Sequence, residues 1–162
     1  MSTTEKSVSE RSTVHSTFVI ERTYEASPER VFAAWSDQAA KAQWFGPGEK
    51  HPESYSLDFR EGGREHLSVP TPDGATYSFD AVYVDIVPAQ RIIHTYDMHR
   101  NDDRISVSVA TIEFEGVGDG TRLTLTEQGV FLDGLDAPAE REHGTSAMLD
   151  ALASHLQSRE RD

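Results

Sequence analysis

Glutamate, histidine and tyrosine side chains can exchange protons within a folded protein, and one of each falls at a matched position in this sequence. His94 shares strand parity with Ile92 and Tyr96 in RIIHTY, and Glu65 shares parity with Leu67 and Val69 in REHLSV. Where both faces turn inward, a carboxyl, an imidazole and a phenol enter one interior. A carboxylate buried there has its pKa raised by desolvation or lowered by a cationic partner. Glu65, His94 and Tyr96 are therefore the candidate catalytic residues, the one constellation suited to general acid–base work. The alternative is structural. A single β-bulge flips parity, Glu65 can face water beside Arg64, and a satisfied histidine needs no catalytic role.

The chain carries seven histidines. His15 falls in the N-terminal arm, His51 follows a Gly-Pro-Gly loop, His99 is expected in a turn, and His143 and His155 fall in the last helix. No pair has the spacing of HExxH or of a compact ligand triad, so neither a metal nor another cofactor is expected. Nothing reads as a Ser-His-Asp triad, a phosphate loop or a nucleotide fingerprint. With no cysteine, disulfides and thiol chemistry are excluded.

Acidic residues number 28 against 15 Lys plus Arg, a formal net charge of -13. Such a field repels phosphate backbones, and no Lys/Arg run opposes it, so neither nucleic acid nor an anionic membrane is expected as a partner. No apolar run approaches the ~20 residues of a membrane span. The opening MSTTEKSVSERSTVHS lacks an apolar signal-peptide centre, and the expected location is cytoplasmic. Residues 1–15 read as a disordered arm, residues 16–158 as a single domain, and 159–162 as a tail.

The elements that must hold the candidate residues are legible from period. Residues 16–24 read as a strand. Ser27 is a plausible N-cap with Pro28 in the first turn, and Val31, Phe32 and Trp35 fall on one face of a short helix. A second short helix, about 38–44, follows Asp37 almost without a linker and stops at Gly46-Pro47-Gly48. Period two then takes over through residue 128, in strands joined by Gly/Asp turns such as Glu61-Gly62-Gly63 and PTPDG. Residues 137–158 return to helix, with Met148, Leu149, Leu152 and Leu156 on one stripe. Strand, two short helices, an antiparallel meander and a long helix make an α+β architecture.

That order, with the segments that fill it, resembles the START-like superfamily, also called SRPBCC or birch-pollen-allergen-like. Within it the chain is most similar to the family named after the activator of the heat-shock protein 90 ATPase. The resemblance rests on ASPERVFAAWSD at 26–37, QWFGP at 43–47, DFREGGR at 58–64 and PDG at 72–74. FDAVYVDIVPAQRIIHTY at 79–96, GTRLTLTEQG at 120–129 and HGTSAMLDALASHL at 143–156 complete it. It implies the helix-grip fold, a curved antiparallel sheet wrapped around a long C-terminal helix with two short helices after strand 1. Three positions depart from the family: Phe45 and Thr145 stand where tryptophan is common, and Glu65 where the strand often carries one. Such losses of bulk are expected to widen the cavity or make it more polar.

The resemblance implies a cavity between sheet and C-terminal helix that holds a small, largely apolar molecule. Its expected lining is Trp44, Phe45, Phe59, Leu67, Phe79, Tyr83, His94, Tyr96, Met148 and Leu152, apolar bodies with a few polar tips. Trp35 is expected in the core, as the pin of the first short helix. Two other functions remain open: a cyclase- or dehydratase-like enzyme using Glu65, His94 and Tyr96 in one closed pocket, and a chaperone-interaction module. The missing catalytic signature favours binding over catalysis. The family's activators carry a further N-terminal domain that the arm is too short to replace. A homodimer is expected only on the general ground that two-fold dimers lead among soluble oligomers.

Overall fold

A computed structural model describes residues 11–47 and 54–161. Most of the expected arm, His51 with its immediate neighbours, and the final residue lie outside the described residues. The strands are β1 (Thr13–Tyr24), β2 (Tyr55–Leu57), β3 (Arg64–Pro70), β4 (Thr76–Val87), β5 (Arg91–Arg100), β6 (Asp103–Val117) and β7 (Gly120–Leu132). The helices are α1 (Pro28–Ser36), α2 (Gln38–Trp44) and α3 (Pro138–Arg161). One antiparallel sheet of seven strands runs β1-β7-β6-β5-β4-β3-β2 and curves around α3. The helix-grip expectation is met.

Several boundaries differ from the sequence reading. β1 begins at Thr13 and pairs His15 with Val130, so that histidine belongs to the sheet and not to the arm. β5 extends to Arg100, so His99 lies in the strand opposite Arg104 and not in a turn. Cross-strand hydrogen bonds, invisible to local composition, carry both strands past their apolar cores. α3 likewise continues to Arg161, past the expected end at residue 158.

β1 and β2 are consecutive in sequence but form opposite edges of the sheet. The intervening chain must cross the open end of the curve, and α1 and α2 make that crossing. The Ser27 hydroxyl accepts the Arg30 N–H at 3.2 Å, with Pro28 in the first turn where its missing donor is harmless. Asp37 then does two jobs. Its N–H closes α1 on Ala33 O at 3.1 Å, while its carboxylate caps α2 at the Ala40 N–H, 2.9 Å. No linker separates the helices because one residue ends the first and starts the second.

Val31 and Trp35 of α1 are buried, and Phe32 packs edge-on against Phe59 and Phe114 with ring centroids 5.7 and 5.5 Å apart. Leu149, Leu152 and Leu156 press α3 into the same core. Two side chains fix the helix along its axis: the Tyr24 hydroxyl donates to Leu149 O at 2.9 Å and the Arg30 guanidinium to Leu156 O at 2.9 Å.

Two glycines in this framework have opposite roles. At Gly63, in the tight turn before β3, a β-carbon would collide with the Asp58 carbonyl oxygen, whereas at Gly144 in α3 nothing lies within 4 Å of one. Gly63→Ala is expected to lower unfolding free energy by about 1–3 kcal/mol through overpacking. Gly144→Ala is expected to raise it by about 0.5–1 kcal/mol, as helical glycine gives way to alanine. Urea midpoints of the two variants against the parent check both signs.

Candidate functional site

The parity argument for β3 and β5 holds: Glu65, His94 and Tyr96 are all buried on the inner face. They do not form one constellation. The structure places Glu65 and Tyr96 in two separate polar clusters, each completed by a cation from a helix, with His94 between them.

The first cluster is built around Glu65 of β3. Lys41, from the inward face of α2, places Nζ 2.9 Å from each Glu65 oxygen. The Tyr55 hydroxyl of β2 donates to Oε2 at 2.7 Å and the Tyr83 hydroxyl of β4 to Oε1 at 2.6 Å. Nζ also lies 4.5 Å from the Phe45 ring centroid and 5.1 Å from that of Trp35, within cation–π range. Burial alone would raise the Glu65 carboxyl, but the Lys41 charge and the tyrosine donors outweigh it and hold the group below its usual range. Burial pulls the Lys41 ammonium down, with Glu65 opposing. Burial and the same carboxylate push both tyrosines up, so their hydroxyls stay protonated donors. Glu65 is thus an ionised, fully partnered structural anion.

The second cluster joins β5, β7 and α3. The Tyr96 hydroxyl donates to Glu127 Oε2 at 2.7 Å, and Arg141 reaches the Tyr96 oxygen at 3.1 Å, Ser106 Oγ at 2.8 Å and Asp136 Oδ2 at 2.6 Å. Burial lifts the Glu127 carboxyl above its ordinary range despite Tyr96 and Arg141. Glu127 and Arg141 were not singled out from the sequence. The signals were there: Glu127 has the parity of Leu123 and Leu125, and Arg141 stands seven residues before Met148 on the helical stripe.

His94 sits between the clusters, its ring centroid 5.4 Å from Tyr83, 5.7 Å from Tyr96 and 6.1 Å from Phe79. Burial, and then the Lys41 charge, lower its pKa to about 4, so the imidazole is neutral at physiological pH. Its Nδ1 has no hydrogen-bond partner among the described residues.

Between the sheet and α3 lies a cavity of about 290 Å³. Of the ten residues expected to line it, Phe45, Leu67, Phe79, His94, Tyr96 and Met148 do. Four pack elsewhere. The Trp44 indole turns into the core, donating to Ala34 O at 3.1 Å, with its ring edge-on to Trp35. Phe59 stacks edge-on against Phe32 and Tyr83, the Tyr83 hydroxyl is held by Glu65, and Leu152 is fully buried in the core. Trp35, expected only in the core, is both buried and at the cavity wall. Lys41, Glu127, Arg141 and Thr145 add the polar lining. Of the three departures from the family pattern, Phe45 and Thr145 border the cavity, whereas Glu65 lies behind its wall.

Two measurements probe these clusters. Lys41→Met strands a buried carboxylate and is expected to cost about 3–5 kcal/mol in urea unfolding, most of it recovered in the double variant Lys41→Met/Glu65→Leu. His94 gives a pH signature. Unfolded, it takes up a proton near pH 6.5, but folded only near pH 4. Between those values the unfolded chain binds more protons, so stability falls as pH drops, by roughly 3 kcal/mol at the lower limit. The raised Glu127 carboxyl acts with the opposite sign, its stabilisation fading as pH rises. Subtracting the profile of His94→Phe from that of the parent isolates the histidine and should leave this fall.

Similarity to other proteins accords with this geometry. None of the curated proteins matches the chain. Among solved structures, an uncharacterized protein from Rhizobium leguminosarum is 46% identical, with a TM-score of 0.87 over 91% of this chain and 98% of its own. A protein from Rhizobium loti is also 46% identical, with a TM-score of 0.83 over 89% and 99% of the two chains. The AHSA1 protein from Silicibacter pomeroyi is 25% identical, with a TM-score of 0.73 over 89% and 99%. The family model described as activator of Hsp90 ATPase homolog 1-like protein matches residues 25–157. With the fold and the family's sequence pattern both present, the chain belongs to the activator of Hsp90 ATPase homolog 1-like family.

Proposed function

We propose that the protein binds one small, largely apolar molecule in the cavity between the sheet and α3. The observation that carries this reading is the cavity itself. Its volume of about 290 Å³ falls just below the range typical of small-molecule sites, roughly 300–1,000 Å³, and suits a small occupant. The lining supports it: aromatic and aliphatic walls from Phe45, Phe79, Leu67 and Met148 meet a polar group formed by Tyr96, Glu127 and Arg141. Apolar walls supply affinity, and a few convergent polar atoms supply orientation.

A cyclase- or dehydratase-like reaction would need Glu65, His94 and Tyr96 around one substrate. Glu65 instead lies outside the cavity lining, saturated by Lys41, Tyr55 and Tyr83. Proton transfer to that carboxylate would neutralise it and break the pair that keeps it buried. The chaperone-module reading rests on the family's name, whereas the cavity supports binding.

Titration with the neutral fluorescent probe 1-aminoanthracene should show saturable, one-to-one binding, with quenching of Trp35 at the cavity wall. Thr145→Trp restores bulk at the cavity border and should weaken the probe at least tenfold while leaving the thermal midpoint unchanged or higher. Absence of saturable binding in the parent, or an unweakened Thr145→Trp, would remove the cavity from the functional account.

A further inference from the structure

The outer face of the sheet carries a second arrangement of chemistry-bearing side chains, independent of the cavity. On β4 and β5, Phe79, Tyr96 and Met98 point inward to the cavity, while their neighbours Asp80, Asp97 and His99 share the opposite face. The register sets Asp80 directly across from Asp97, and Ser78 across from His99. Like charges facing each other across a strand pair destabilise the sheet. One oxygen from each carboxylate and one nitrogen of His99 all lie within 4.8 Å of one another.

The flanking residues hold the aspartates toward that point. His66 of β3 places Nδ1 2.7 Å from Asp80 Oδ1 and Nε2 2.9 Å from Ser68 Oγ. With Nδ1 donating to the carboxylate, Nε2 accepts from the serine hydroxyl. Arg104 of β6 donates to Asp97 Oδ2 at 3.0 Å. Each aspartate therefore has one oxygen tethered to a flanking strand. The His99 ring has no hydrogen-bond partner among the described residues. Two oxygen donors and one imidazole nitrogen converging on one point form a donor set for a borderline divalent ion, with a position left for water.

We propose that Asp80, Asp97 and His99 form a divalent transition-metal site, with Zn²⁺ as its representative ion and His66 as the residue that orients Asp80. The bound cation would relieve the repulsion between the aspartates, and the strongly acidic chain would draw it in. Asp97 and His99 alternate on one strand, but nothing local in the sequence marks Asp80 as their neighbour. Asp80 and Asp97 are seventeen residues apart, 97 − 80, and only the β4–β5 register brings them together.

Zn²⁺ titrated calorimetrically into the metal-free full chain should show one saturable site. His99→Ala and Asp97→Asn should each weaken it at least tenfold, and His66→Ala about tenfold, through the lost orientation of Asp80. All three side chains are at least partly solvent-exposed, so the variants should melt as the parent does. Asp80→Asn replaces any variant that does not. Co²⁺ provides a second readout, since His99→Ala should alter its visible absorption. No saturable Zn²⁺ binding by the parent would overturn the proposal. So would binding that survives undiminished in both His99→Ala and Asp97→Asn, because other histidines would then hold the ion.

Discussion

The buried Lys41–Glu65 pair is the constraint on which this end of the molecule depends. Taking an ammonium and a carboxylate out of water costs several kcal/mol per ion, so neither side chain tolerates loss of the other. Around them converge α2, β2, β3 and β4, supplying Lys41, Tyr55, Glu65 and Tyr83. α2 has only seven residues, too few for independent helical stability. Its position is fixed by the single cation it inserts, together with Trp44 packed on Trp35. The short-helix crossing from β1 to the far edge of the sheet is pinned electrostatically at one end and by aromatic packing at the other.

That pinning shapes the cavity. Lys41 and Phe45 reach its wall from the end of α2, and Thr145 and Met148 from α3. The two polar clusters differ in kind. Around Glu65 the donors match the acceptors, and burial is offset by a full positive charge. Around Glu127 the balance is incomplete: its carboxyl is raised, and Arg141 divides its donors among Tyr96, Ser106 and Asp136. A saturated cluster serves the fold. A partly compensated one at a cavity wall is suited to orienting a bound molecule, and the binding reading therefore centres on the second cluster.

Strand parity was informative because sheet faces here are sharply divided into buried and exposed. It placed Glu65, His94 and Tyr96 inside, and the same rule, applied to TRLTLTEQ, points to Glu127. Parity gives a face, however, and not a partner. Nothing local distinguishes the saturated Glu65 from a general base, because Lys41 lies 24 residues away on another element. The expected lining failed in the same way. Trp44, Phe59, Tyr83 and Leu152 have the right type and the right face, yet neighbours from distant elements occupy the space they would have opened onto.

By itself the sequence determined the architecture: cap residues and Pro28 start the short helices, period two runs through the strands, and a leucine stripe marks the last helix. These are local preferences, written in contiguous residues and read at fixed spacing. Tertiary structure decided which charges meet. The pairing of Lys41 with Glu65, the gathering of Tyr96, Glu127 and Arg141, and the apposition of Asp80, Asp97 and His99 all depend on register and on how helices cross the sheet. Charge interactions act through space over a few ångströms, and in this fold those ångströms separate residues that are tens of positions apart in the chain.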